Sequence, residues 1–332
     1  ELHGYSPSLG ITSVREAIAE NLEKRFGLPY RKEHIFMASG AAGALAHAFR
    51  LVTEPGDEIL TFAPFFPEYH PYVDLTGAVL KVVPPNLENF QINFEAFEEM
   101  LTEKVKAVLI NTPNNPSGVV YSTPTLQRLA DILREKSREY GYIIYLISDE
   151  PYREIVFEGV DSPCVSYFYD NTIMCYSFSK SLSLPGERIG YVVIPDELDG
   201  SDEVIQAATI ANRILGSVNA PSLIQKVVGR CVDAAVNVEY YDRNRKTLYE
   251  GLTKLGFECV KPQGAFYLFV KSPVADEKQF CEAGKKYNIL MVPGSSFACP
   301  GYVRLAYCVS YDTIMNSLPQ FGKLAEEFGL KA

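Results

Sequence analysis

Lys180 stands in "YSFSKSLSLPGERIG", residues 176–190, with small hydroxyl residues beside it and Arg188 eight positions further on. A lysine that only solubilises a surface needs no such company, although lysine taken alone reads as solvated. Desolvated at a strand end and near other cations, its amine loses basicity and becomes a nucleophile able to form Schiff bases. Arg188, held after the Pro185-Gly186 turn, is suited to fork onto a pair of anionic oxygens. Asp149 in "SDEPY" follows an apolar strand, where a carboxylate either caps a helix or meets a cation. The small residues of "SGAAGAL" (39–45) lie where a strand passes into a helix, so they either let backbone N–H groups approach a phosphate or pack helix on strand tightly. Arg304 in the apolar run "YVRLAY" needs an anion, either an internal partner or a ligand. "NTPNNPSG" (111–118) taken alone reads as a loop, and Phe66 in "APFFPEY" as ordinary core.

A Schiff-base lysine, a strand-end acid, a phosphate cradle and an arginine for an anion are the parts needed to hold pyridoxal phosphate. Other chemistries lack their residues. The four histidines (3, 34, 47 and 70) all lie early and show no metal-ligand spacing, which argues against a zinc site or a Ser-His-Asp triad. "SGAAGAL" has no GK[ST], so it is not a P-loop, and no GxGxxG follows the first strand to support a dinucleotide-binding dehydrogenase.

These residues follow a series of apolar runs: "IFMA", "DEILTF", "VLKVV", "KAVLI", "IIYLIS" and "TIMCYS". Near-continuous apolar strands separated by helical patterns predict a mainly parallel sheet covered on both faces, with ligands bound beyond the carboxyl ends of its strands. The first helix is expected to start at Ser13, with Ser13 and Glu16 as a capping box, and to stop at Gly27. After about residue 220 the pattern changes to one long helical stretch, Ser222 to Leu255, then to "AFYLFV", "NILMVP" and "VRLAY" and a closing helix from Asp312. The fold class is therefore α/β, with a large domain at 1–240 and a smaller C-terminal α/β domain at 241–332.

Length and composition agree with an enzyme of this kind. The 332 residues exceed one typical core, and 47% apolar with 22% charged residues is ordinary globular composition. The net charge of −10 provides no basic field for a phosphate backbone, so nucleic acid is excluded as a partner. Seven cysteines without a CxxC pair read as reduced thiols, and residues 1–20 lack the pattern of a signal peptide, as the chain lacks an 18-residue apolar span. A cytoplasmic protein with no membrane partner and no metal is expected.

In order along the chain, "YSPSLGITSVREAIA", "SGAAGAL", "PFFPEY", "NNPSG", "SDEPY", "SFSK", "PGERIG" and "VRLAY" resemble the elements of the class I/II aminotransferases, the aspartate aminotransferase family of fold type I pyridoxal-phosphate enzymes. The resemblance covers nearly the whole chain. It implies that Lys180 carries the cofactor as a Schiff base and then moves the substrate's α-proton, in a ping-pong transfer of an amino group from an L-amino acid to a 2-oxo acid. It implies that Asp149 pairs with the pyridine nitrogen, that Asn115 and Tyr152 bond the ring's 3-oxygen, and that Phe66 stacks on the ring. Gly40, Ala41, Ala42, Ser177 and Arg188 match the phosphate-holding positions, with Tyr5 reaching in from a second subunit, which makes a homodimer the expected assembly. Arg304 matches the anchor of the substrate α-carboxylate, beside Asn115. Two positions depart from the pattern. Members usually carry some tens of residues ahead of the position of Tyr5, and Arg213 in "ANRILGSVNAPS" does not align with the family's dicarboxylate-selecting arginine. A β-lyase of the same fold, acting on carbon-sulfur bonds, shares most of the cofactor-holding residues and is the alternative activity. A ligand-sensing transcription regulator needs a DNA-binding module, which this chain lacks.

Overall fold

Seven apolar segments assemble into one sheet. The structure, a computed structural model, describes residues 3–330. Its strands are β1 (Ile35–Ala38), β2 (Glu58–Phe62), β3 (Val79–Val83), β4 (Val105–Asn111), β5 (Tyr145–Asp149), β6 (Thr172–Ser177) and β7 (Gly190–Val193). They lie in the order β1-β7-β6-β5-β4-β2-β3. Strands β2 to β6 pair in parallel, whereas β7 runs antiparallel to both β6 and β1. The expected mainly parallel sheet is thus present, with one strand, β7, that the apolar runs had not signalled. Its segment is short and opens on a glycine that β6 requires: a Cβ at Gly190 would run into the Tyr176 carbonyl oxygen and come within 3.0 Å of the Gly40 carbonyl carbon.

Helices cover both faces, which explains why β6 is buried at every position. On one face Leu45, Ala48 and Phe49 of the helix Gly40–Val52 pack against Ile147, Ile173 and Val192. On the other, Leu126, Leu129 and Leu133 of the helix Thr123–Tyr140 pack against Val108, Ile110 and Leu146. Full burial of each such side chain contributes about 1.5–3 kcal/mol before entropy is counted.

The first helix spans Thr12–Phe26 and ends, as expected, at Gly27 in a left-handed conformation. Its start differs from the capping box. Ile11 is the cap residue and no side chain caps it; instead the Ile11 N–H donates to Gln225 Oε1 at 2.8 Å, and Glu16 pairs with Lys32. A partner 214 residues away in sequence has replaced the local one. The expected long helix from Ser222 to Leu255 is also divided, into Ser222–Gly229 and Val238–Lys254, because the Asn237 side chain accepts from the Tyr240 N–H and starts a second helix.

Strands β8 (Cys259–Val260), β9 (Tyr267–Lys271), β10 (Val292–Pro293) and β11 (Tyr302–Ala306) form a separate antiparallel sheet, ordered β10-β11-β9-β8. Leu248, Leu252, Phe321 and Leu324 from helices Val238–Lys254 and Tyr311–Glu327 cover it. Phe90 and Val119, from loops that follow β3 and β4, meet Phe269 of β9 and Phe297. Because Gly190 admits β7 only by lacking a side chain, Gly190→Ala is expected to destabilise the fold by about 1–3 kcal/mol in denaturant unfolding. An unchanged midpoint would contradict this close approach.

Candidate active site

Register places the strand ends side by side: Asn111 of β4 opposes Asp149 of β5, and Asp149 opposes Cys175 of β6. A cavity of about 290 Å³ opens at that edge, the location expected for a ligand site in such a sheet. Of the residues singled out in the sequence, Ala41, Ala42, Phe66, Asn115, Asp149, Tyr152, Ser177, Lys180, Arg188 and Arg304 line it. Gly40 lies just behind, with φ +73°, where a Cβ would sit 2.7 Å from Arg188 Nη2 and push the guanidinium away. Tyr5 lies elsewhere. It is 98% exposed and borders a different depression with Val218 and Asn219. Arg213 is exposed near the end of the helix Ser201–Ile214 and does not line the cavity.

Asp149 is buried, and its Oδ1 has no hydrogen-bond partner. Burial pushes its carboxyl up to about 7, against the opposing hydrogen bond from Tyr69 and with the neighbouring Glu150 adding to the rise. It does not cap a helix. Three cations share the cavity. Lys180, in the short helix Phe178–Ser181, has no hydrogen-bond or ion-pair partner among the described residues, and its Nζ lies 5.4 Å from the centre of the Phe266 ring. Burial lowers its basicity; Cys308 opposes this and Arg188 and Arg304 reinforce it. Arg188 sits at φ +51° and donates through Nη1 to the Pro185 carbonyl at 2.9 Å, which leaves most of its fork free. Arg304 comes from β11 and donates through Nη1 to Asn115 Oδ1 at 2.9 Å, and it forms no ion pair with an Asp or Glu among the described residues. Asn115 therefore retains its Nδ2 donors for another acceptor.

Four supporting residues were not evident from the sequence. Tyr69 donates to Asp149 Oδ2 at 2.6 Å, from a buried position that a tyrosine in "PFFPEY" does not reveal. Asn111 Nδ2 donates to the Asp149 carbonyl at 2.9 Å while its Oδ1 accepts from the Asn115 N–H at 2.8 Å, so one side chain ties two strand ends. Tyr267 of β9 lies 3.0 Å, oxygen to oxygen, from Tyr152. Arg153 pairs with Glu150 at 3.0 Å, both almost fully buried, and anchors the turn between Asp149 and Tyr152 from behind. The "NTPNNPSG" pattern carried a signal for Asn111, since asparagine at a strand end beside prolines fixes a loop by side-chain bonds.

Comparison with known proteins places this arrangement. Residues 1–318 match the family described as aminotransferase class I and II. The chain belongs to that family. It is 33% identical over 318 residues to an aspartate aminotransferase of Thermotoga maritima, covering 95% of this chain and 81% of the relative. It is 31% identical to an aspartate/prephenate aminotransferase of Thermus thermophilus, covering 96% and 83%. The crystal structure of an aminotransferase from Eubacterium rectale superposes with a TM-score of 0.96 at 48% identity, over 98% of this chain and 82% of that one. The family's enzymes depend on pyridoxal phosphate and act on amino and oxo acids, and this chain is one of them.

The residues fit that cofactor. A buried carboxylate oxygen without a partner calls for a cationic N–H, which a pyridinium supplies. Gly40, by lacking a Cβ, lets the Arg188 guanidinium come close to a helix N-terminus, and the two together suit a phosphate. Without the cofactor, Asp149 holds its proton to about pH 7 in the folded chain but only to its ordinary 3.8 unfolded. Between those values the folded state binds more protons, so this residue makes stability fall as pH rises. In cofactor-free protein the loss is expected to reach up to about 4 kcal/mol from pH 4 to 8, and Asp149→Asn should abolish that slope. Urea unfolding across pH checks it; equal slopes in both proteins would refute the buried, unpaired state of Asp149.

Proposed function

We propose that this chain transfers the amino group of an L-amino acid to a 2-oxo acid in two successive half-reactions, a ping-pong scheme, with Lys180 holding the cofactor as a Schiff base. The observation that carries the reading is that Asp149, with its unpartnered oxygen, lines the same cavity as Lys180, Arg188 and Arg304. The bound cofactor supplies an electron sink for the pair left when the α-proton departs. Asp149 keeps the ring nitrogen protonated. The Asn115 amide and the Tyr152 hydroxyl bond the 3-oxygen, and Phe66 covers one face of the ring. Backbone N–H groups of Gly40, Ala41 and Ala42 hold the phosphate together with Ser177 and Arg188. Arg304 forks onto the α-carboxylate, orienting the α-carbon toward Lys180, whose amine, made less basic by burial, takes the α-proton.

In this reading the chain divides near residue 240 into a cofactor-binding and a smaller domain, so Arg304 of the second meets Asn115 of the first. A second copy contributes Tyr5 to the phosphate site. Its near-complete exposure, away from the cavity of its own chain, suits a residue that acts across an interface. All seven cysteines are free thiols, as a reducing cytoplasm requires, and no described helix is long and apolar enough to cross a membrane. Relatives named as aminotransferases do not favour the β-lyase.

Borohydride reduction of the purified protein followed by peptide mapping should place the pyridoxyl adduct on Lys180. Amino acid alone should then release one equivalent of oxo acid per site and stop until a second oxo acid is added. An adduct on another lysine, or sustained release of ammonia without an acceptor, would overturn the proposal.

A further inference from the structure

Tyr267 occupies a position where three parts of the site meet. It lies in β9, opposite Ala306 of β11, and is 8% exposed at the wall of the cavity. Its ring lies 4.4 Å from the Arg304 guanidinium, which the Phe297 ring meets at 4.8 Å. Its hydroxyl is 3.0 Å from that of Tyr152 and has no other hydrogen-bond partner among the described residues.

A phenol has one proton to donate. If Tyr152 gives its proton to the cofactor's 3-oxygen, the bond between the two tyrosines can only run from Tyr267 to Tyr152. We propose that Tyr267 is a positioning residue: its hydroxyl donates to Tyr152 and so commits Tyr152 as a donor to the cofactor, while its ring holds the Arg304 guanidinium in place for the substrate carboxylate. This rests on the function proposed above and adds to it a link between the carboxylate anchor and the cofactor's acidity. Hydrogen bonds in a chain strengthen one another, so Tyr152 donates more strongly with Tyr267 behind it. The 3-oxygen also accepts from the protonated nitrogen that joins the cofactor to Lys180. Stronger donation by Tyr152 weakens that competing bond, and the nitrogen releases its proton at lower pH.

The charged and titratable groups around this chain are known. Tyr152 faces Tyr267, Asp149 and Arg304; Tyr267 faces Tyr152, Arg304 and Cys308; Lys180 faces Cys308, Arg188 and Arg304. Tyr267→Phe removes one hydroxyl and leaves all of these, with the ring under Arg304 retained.

The test is a pH titration of holoenzyme absorbance, which reads protonation of the Lys180–cofactor nitrogen without turnover. In Tyr267→Phe the midpoint should rise by about 0.5 pH unit, the size of one modest net hydrogen bond. Tyr152→Phe should raise it further, and the double variant should match Tyr152→Phe alone. A midpoint that falls means that Tyr152 had been donating to Tyr267 and was released, which overturns the proposal; an unchanged midpoint overturns it as well. For the ring, Tyr267→Phe should leave KM for the amino acid within about threefold, whereas Tyr267→Leu should raise it about tenfold with a smaller change in kcat. Equal KM values in the Phe and Leu variants overturn that half. Failure of the underlying reading looks different, because the unsubstituted protein would then show no cofactor band or an adduct away from Lys180.

Discussion

A carboxylate at the end of the central strand of an apolar sheet must meet a cation or give up its charge. Asp149 is in that position. Much of the surrounding structure holds it there: the Asn111 amide fixes its carbonyl, Tyr69 holds Oδ2 and the Glu150–Arg153 pair pins the turn that follows. Oδ1 is left buried without a partner, on a residue that lines the cavity. The fold thereby leaves a buried carboxylate oxygen unmet, and in the proposed function the cofactor's protonated ring nitrogen answers it and keeps the ring an electron sink.

The opposite charge is assembled from distant parts of a chain whose net charge is −10. Lys180 follows β6, Arg188 precedes β7 and Arg304 lies in β11 of the second sheet. The three come from separate segments of the chain, so the field is made by convergence rather than composition. Burial first, and then the nearby arginines, disfavour a third positive charge on Lys180, whose reactivity therefore depends in part on where the two arginines are held. Gly40 and Gly190, by lacking side chains, let the start of the helix Gly40–Val52, Arg188 and β7 come together.

Buried ion pairs such as Glu150–Arg153 are weak contributors to net stability, because desolvation offsets their attraction. Their value here is geometric. Arg153 also reaches Tyr191 and lies over the Tyr176 ring, 4.2 Å away, so the turn carrying Asp149 and Tyr152 is tied to β6 and β7 together. A functional carboxylate held by a rigid surround needs no reorganisation when charge develops in the transition state.

Apolar runs and turn residues in the sequence determined the sheet, its covering helices and the strand ends that carry chemistry, because burial on both faces leaves an unbroken hydrophobic signal. The spaced residues from "SGAAGAL" to "VRLAY" likewise identified the family and the cavity's lining. The tertiary structure alone decided which local signals lost. Gln225 displaced the capping box at the first helix, and the Asn237 cap divided one expected helix into two. It alone revealed Tyr69, Arg153 and Tyr267 and gave Asn111 its partners; their residue types are common and their roles arise from contacts spanning up to 115 positions. Strand β7 is as short as β1 and apolar after its opening glycine, while its place in the sheet depends on close packing against Tyr176 and Gly40. Local chemistry is written residue by residue; the pairing of side chains across the fold is set by which strand ends the sheet brings to one edge.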